Sequence, residues 1–183
     1  LPPKAFLWIS LQSDTLTQNL NAIETLLLRY AKAPLLELHA ADLISEFIPS
    51  TFDATQNYRI LIFRQLAHEG NLPPKDEHPS LSNDRILERV ETHPTGFVCF
   101  DQVLLSVHPK KCLLQKEYAE KLLAFVPKMH NNQAKEQHLP QSPADLMLRQ
   151  LSLLVDDFLT LRRELSQRLD FWQEKLLDPN NQF

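Results

Sequence analysis

The last third of the chain carries one long helical pattern, and it constrains the fold more than any other stretch. Met147, Leu151, Leu154, Phe158, Leu161, Leu165, Leu169, Trp172 and Leu176 step by 4, 3, 4, 3, 4, 4, 3 and 4 residues, which lays an apolar stripe along one helix face. Ser142-Pro143-Ala144-Asp145 opens it with a capping serine, a proline at the first helical position and an acid three residues after the cap. Asp178-Pro179 closes it. At 1.5 Å per residue such a helix is about 50 Å long. That is more than the core of one small domain can cover, so the helix is expected to project and to seek other helices.

Upstream the periodicity changes repeatedly. Ala5–Leu11 (AFLWISL) reads as a short buried strand. Leu16, Leu20, Ile23, Leu27 and Tyr30 form one face of an amphipathic helix, with Ser13 or Asp14 as its cap and Pro34 as its stop. A second, short helix is expected over His39–Phe47, before Pro49. Tyr58–Leu66 alternates as a strand, Ala67–Asn83 with its three prolines reads as a loop, and Arg85–Glu91 as an edge strand. Gly96–Phe100 and Val103–Val107 flank the polar pair Asp101-Gln102 as a hairpin. A helix over Gln115–Phe125 and a polar linker over Lys128–Gln141 complete the reading. The order implies an α/β fold: a mixed sheet in a sandwich with helices, residues 1–141, followed by a long helix and the start of the next linker, residues 142–183.

Composition removes several classes of function. Two glycines, Gly70 and Gly96, stand against thirteen prolines, so no glycine-rich loop can cradle a phosphate or dinucleotide, and no nucleophile elbow is present. There is no His-Glu-x-x-His and no paired Cys-x-x-Cys, and an enzyme is disfavoured. The net charge of −4, from 23 acidic and 19 basic side chains, argues against a nucleic-acid partner, since phosphate binding needs clustered positive charge. No run approaches the 18 or so apolar residues of a membrane span. Cys99 and Cys112 make no disulfide framework, although two thiols can still pair. The chain opens at Leu1 without a methionine, which points to a piece of a longer protein.

Few residues suggest chemistry. His39 and Asp42, three apart, can share a helix face as two ligands would, but two ligands do not make a site. A surface acid beside a boundary histidine accounts for them as well. Asp156 and Asp157 point about 100° apart on a helix, too far round to share a cation easily, and read as a solvated face. The charges Arg162, Arg163, Glu164, Arg168, Asp170, Glu174 and Lys175 read as the flanks of a helical seam. Phe171 and Trp172 are expected to pack on the stripe. Histidines 68, 78, 93, 130 and 138 lie in polar stretches, His108 ends a strand without a nucleophile beside it, and Cys99 reads as inert core.

Four stretches, in order, resemble the N-terminal cytoplasmic part of CorA-type magnesium and cobalt transport proteins. Phe6–Leu11 (FLWISL) is similar to that family's early W-I-x-[LI] strand. Pro34–Ile44 (PLLELHAADLI), with Pro49 and then Asn57-Tyr58, is similar to its P-L-x-x-E-D-[IL] helix and the strand after it. Phe100–Val107 (FDQVLLSV) resembles its hairpin, and Leu154–Phe158 (LVDDF) running on to Leu177-Asp178-Pro179 resembles its L-V-D-x-[YF] helix.

The resemblance implies an α/β/α sandwich from the cytoplasmic funnel of a homopentameric divalent metal ion transporter, attached to the inner-membrane face by helices that lie outside this chain. The stalk, the membrane helices and the G-M-N pore motif are absent from the chain, so this part cannot conduct ions. The resemblance also implies a regulatory Mg²⁺ site between subunits with Asp42 as one ligand. The family's preceding glutamate is Ala41 here, and the partner acid falls beyond Phe183. The task implied is cation sensing and assembly rather than catalysis, with Mg²⁺ or Co²⁺ as cargo and no cofactor needed for folding. As a separate piece the chain can be a monomer. Two rivals stand beside this reading: a zinc-transporting relative of the same architecture, and a stand-alone interaction module working through the Ser142–Leu177 helix.

Overall fold

A computed structural model describes residues 5–67, 91–110, 112–125 and 139–177. The elements run β1 (Leu7–Gln12), α1 (Ser13–Tyr30), α2 (Glu37–Ile44), β2 (Thr51–Ala54), β3 (Arg59–Leu66), β4 (Thr92–Cys99), β5 (Val103–His108), α3 (Leu113–Phe125) and α4 (Pro143–Leu177). The strands form one five-stranded sheet in the order β1-β5-β4-β3-β2. β1 lies parallel to β5, with Trp8 opposite Leu104, and the other three pairings are antiparallel. The sheet is mixed and the fold is α/β, as the sequence implies.

Strand alternation divides the core into two layers. Val103, Leu105 and Val107 of β5, Val98 of β4, and Ile60 and Ile62 of β3 meet α1 and α2 through Leu16, Ile23, Leu27 and Leu43. The intervening residues turn to the other face, where Phe97 and Leu104 meet Leu146 and Leu154 of α4, flanked by Trp8, Leu61, Phe63, Tyr118 and Leu122. Among the described residues the first layer holds fifteen buried members and the second four. Among the described residues, the side-chain polar atoms that are buried and without a hydrogen-bond partner belong to Ser10, Thr95, His108 and Gln150. All four lie on the α4 side, three by strand parity and the fourth on α4 itself.

Gly96 marks where α2 touches the sheet. A Cβ built there would fall 2.1 Å from Cδ2 of Leu43, a residue only 5% exposed, so the helix rests on bare backbone at this point.

The capping proposed for α4 is present. Ser142 Oγ accepts the Asp145 N–H at 3.1 Å, and an Asp145 carboxylate oxygen accepts the Gln141 N–H at 2.9 Å. Arg149, one turn on, donates to the same carboxylate at 2.9 Å. That guanidinium, followed by the Gln141 N–H, holds the Asp145 carboxyl below its ordinary range. Replacing Ser142 by alanine should cost about 1 kcal/mol, the usual loss of an N-cap. It would be measured as a lower urea midpoint with an unchanged m-value, and an unshifted midpoint would count against the cap.

Several details differ from the sequence reading. α1 starts at Ser13 with Gln12 in the cap position and no side-chain cap bond, so neither Ser13 nor Asp14 caps it. The start is instead joined to β5, because Asp14 pairs with Lys110 at 2.5 Å. Past Tyr30 the turn is made by Lys32 at φ 60°, a left-handed position that a glycine would hold more easily. α2 spans Glu37–Ile44 rather than 39–47. β2 lacks any apolar alternation, since all four of its residues are exposed, and periodicity could not reveal it. On α4 the buried line is Pro143, Leu146, Gln150 and Leu154, displaced from the proposed stripe so that Met147 and Leu151 flank it. The loop at 67–83 beyond Ala67, the edge strand at 85–91 apart from Glu91, the linker at 128–141 before Leu139, and the Asp178-Pro179 stop lie outside the described residues.

Candidate functional site

α2 holds the two residues that spacing singled out. Its short apolar face (Ala40 and Leu43) seats it on the sheet and carries His39 inward with it, 5% exposed. There Nδ1 of His39 lies 2.8 Å from Tyr58 Oη, and Nε2 lies 3.3 Å from Asp53 Oδ2. The Tyr58 oxygen also accepts the Leu36 N–H at 3.1 Å. With one acceptor position so used, the arrangement that satisfies every group has Tyr58 donating to Nδ1 and His39 donating from Nε2 to Asp53. Burial, which outweighs the Leu36 bond, pushes the Tyr58 hydroxyl above its ordinary pKa, and the Asp53 charge adds to it, so Tyr58 remains a donor at neutral pH.

The rings of His39 and Tyr58 meet edge to face at 5.6 Å, and Tyr58 leans on Phe100 at 4.9 Å. The trio therefore ties α2 to β2 and to the start of β3. With both ring nitrogens engaged, His39 has no free nitrogen to offer a ligand shared with Asp42. No sequence signal pointed to this, because the partners lie 14 and 19 residues away.

Asp42 is half-buried, after the exposed Ala41. Among the described residues no group of three or more His, Cys, Asp or Glu side chains is placed to hold a metal ion. A single carboxylate can contribute to a Mg²⁺ site, because Mg²⁺ keeps several waters and takes one or two carboxylates. Asp156 is exposed and Asp157 half-buried. His93 is exposed but lies on β4 rather than in a loop. Histidines 68, 78, 130 and 138 lie outside the described residues. Cys99 and Cys112 are both free and half-buried, and burial raises the Cys99 thiol above its ordinary pKa.

A groove of about 310 Å³ opens at the carboxyl ends of the parallel strands β1 and β5, where Ser13, Asp14 and Lys110 meet Glu46, Glu91 and His93. Such ends are where open α/β sheets commonly take ligands. Its charges are of mixed sign, and Asp14 and Lys110 already satisfy each other.

The far part of α4 is the second notable surface. Among the described residues none after Leu154 is buried, and Leu169, Trp172, Leu176 and Leu177 are 41–81% exposed. At 35 residues α4 measures about 52 Å, and its outer half carries the unpartnered apolar face that the spacing implied. Among the described residues no helix is long and apolar enough to cross a membrane.

This is a three-layer α/β sandwich with a mixed sheet and a long last helix. No family model matches the chain, and no curated protein does. Solved structures share the fold. The full-length CmaX protein overlays 96% of the chain with a TM-score of 0.58 at 14% identity, and the chain spans 43% of that protein. At that identity the likeness concerns the fold.

Proposed function

We infer that the chain is the membrane-external part of a CorA-like divalent metal ion transporter, acting in cation sensing and subunit assembly rather than in catalysis. What carries this reading is the coincidence of motif and element. The four stretches that resemble the family fall, in order, on β1, on α2, on the β4–β5 hairpin and on the long α4. The overlay on a protein more than twice as long, and an α4 that leaves its outer apolar face uncovered, also support a domain that works as part of something larger.

In this reading Asp42 is one ligand of a Mg²⁺ site completed by an acid from a neighbouring subunit. The homopentamer, the cytoplasmic face of the inner membrane, and Mg²⁺ or Co²⁺ as cargo belong to the same proposal. Facing carboxylates repel each other when the ion is absent and are bridged when it binds. An ion held only in the symmetric assembly stabilises that assembly, and if that form is the closed one, internal Mg²⁺ shuts the pore.

Two measurements test it. Reading the gene past Phe183 should reveal two hydrophobic spans, whereas a stop codon would favour a stand-alone module working through α4. In the full-length protein, Asp42→Ala should raise the Mg²⁺ concentration needed for half-protection against proteolysis by about tenfold, the loss of one carboxylate from a site that has few. Unchanged protection would remove Asp42 from the site. Flux selectivity in the intact protein separates the Mg²⁺ carrier from a zinc-transporting relative.

A further inference from the structure

The layer under α4 contains a polar cluster that the reading above does not use. His108, at the end of β5, is 3% exposed, and neither ring nitrogen has a hydrogen-bond partner. Gln150 of α4 is 6% exposed with both amide atoms unpartnered. The two line one cavity with Phe97, Cys112, Tyr118, Leu153 and Leu154. Its volume of about 20 Å³ suits a single water, which cannot serve four polar atoms fully. Buried polar groups without partners weaken the contact that hides them. The apolar layer beneath α1 and α2 shows no such atoms among the described residues, so an opening of the fold should begin at α4.

Among the described residues, every side facing His108 is neutral. The titratable groups lining its cavity are Cys112 and Tyr118. The Tyr118 hydroxyl is itself pushed above its ordinary pKa, mainly by burial. On β4 the neighbour is Phe97, edge-on at 6.1 Å, and on β1 the paired residue is Gln12. The Asp145–Arg149 pair lies beyond Tyr118 and neutralises itself. Among the described residues no carboxylate is placed to receive an imidazolium.

We propose that the contact between α4 and the sheet is a proton-operated latch, in which protonation of His108 releases α4 while α1 and α2 stay packed on the opposite face. Burial alone drops the closed-state pKa of His108 from 6.5 to about 3. Once α4 lifts, the ring meets water and regains its ordinary value. The opened form therefore takes up the proton first as pH falls, and the closed form is favoured above pH 6.5 and loses ground progressively below it. Between pH 7.5 and 5.0 these two values favour opening by about 30-fold.

Native-state hydrogen exchange on the protein, corrected for intrinsic rates, tests this directly. Lowering the pH from 7.5 to 5.0 should raise the opening constant of the Leu146–Leu154 amides by about 30-fold, while amides near Ile23 and Leu27 of α1 change less than threefold. His108→Gln and His108→Leu both remove the titrating group and should flatten the response of α4. An equal rise at α1 would mean that the whole fold opens together, and would overturn the latch. So would a flat α4 response in the wild-type protein, or a full response in either variant. If both variants fail to fold, the contrast between α4 and α1 in the wild-type protein still decides the matter.

Discussion

Phe97→Ala should lower the unfolding free energy by about 3–5 kcal/mol, the range for removing a buried aromatic ring. Phe97 has no exposed surface and, among the described residues, shares its layer with Leu104, Leu146 and Leu154 as the other fully buried apolar members. The ring also forms one wall of the cavity beside His108, so its loss enlarges a space that is already polar. Against a typical total of about 5–15 kcal/mol, about a fifth or more of the stability is at stake. In a thermal melt this corresponds to a fall of roughly 10 °C. A loss below about 1 kcal/mol would show that α4 contributes little to the folded state.

The second large effect is expected at Arg64, which no pattern in the sequence distinguishes. On β3 its guanidinium acts as a clamp. Nη1 donates to the carbonyls of Glu46 and Ile48, both at 2.9 Å, Nε donates to Thr92 Oγ1 at 2.8 Å, and Nη2 donates to the Thr92 carbonyl. One side chain thus fixes the connection between α2 and β2 and joins it to the start of β4. Arg64→Met keeps the stem and strips the donors, leaving three carbonyls for water to satisfy. We expect a loss of about 2–3 kcal/mol, and lysine should not restore it, because an ammonium cannot span the same fork of acceptors. Chymotrypsin provides a local readout, since Phe47 in that connection is 92% exposed. Cleavage there should accelerate in both variants, and unchanged cleavage would mean that the connection holds its shape without the clamp.

The sequence revealed elements wherever periodicity is strong and partners are local. β1, α1, the β4–β5 hairpin and α4 with its serine cap all follow from spacings within a few residues. It failed where a contact spans the chain. Nothing near His39 indicates that it bonds Tyr58 and Asp53, and nothing in Thr51–Ala54 resembles a strand, because β2 forms by pairing with β3 and exposes all of its side chains. The stripe on α4 was placed beside the true contact line for a related reason. Pattern reading follows apolar residues, and Gln150 occupies the middle of the buried face. The polar residues beneath α4 could be recognised only after the sheet had brought β5 and α4 together.

Gly96 has a consequence for the outer surface as well. The methyl of Leu43 occupies the space a side chain would fill, so the height of α2 above β4 is set by the smallest residue available. Asp42 is the next residue along, and its carboxylate inherits that height. Widening the seat by one carbon would force Leu43 to give way, either by turning its side chain or by shifting the helix that also carries Asp42. The geometry of the exterior is thus calibrated from inside the sheet.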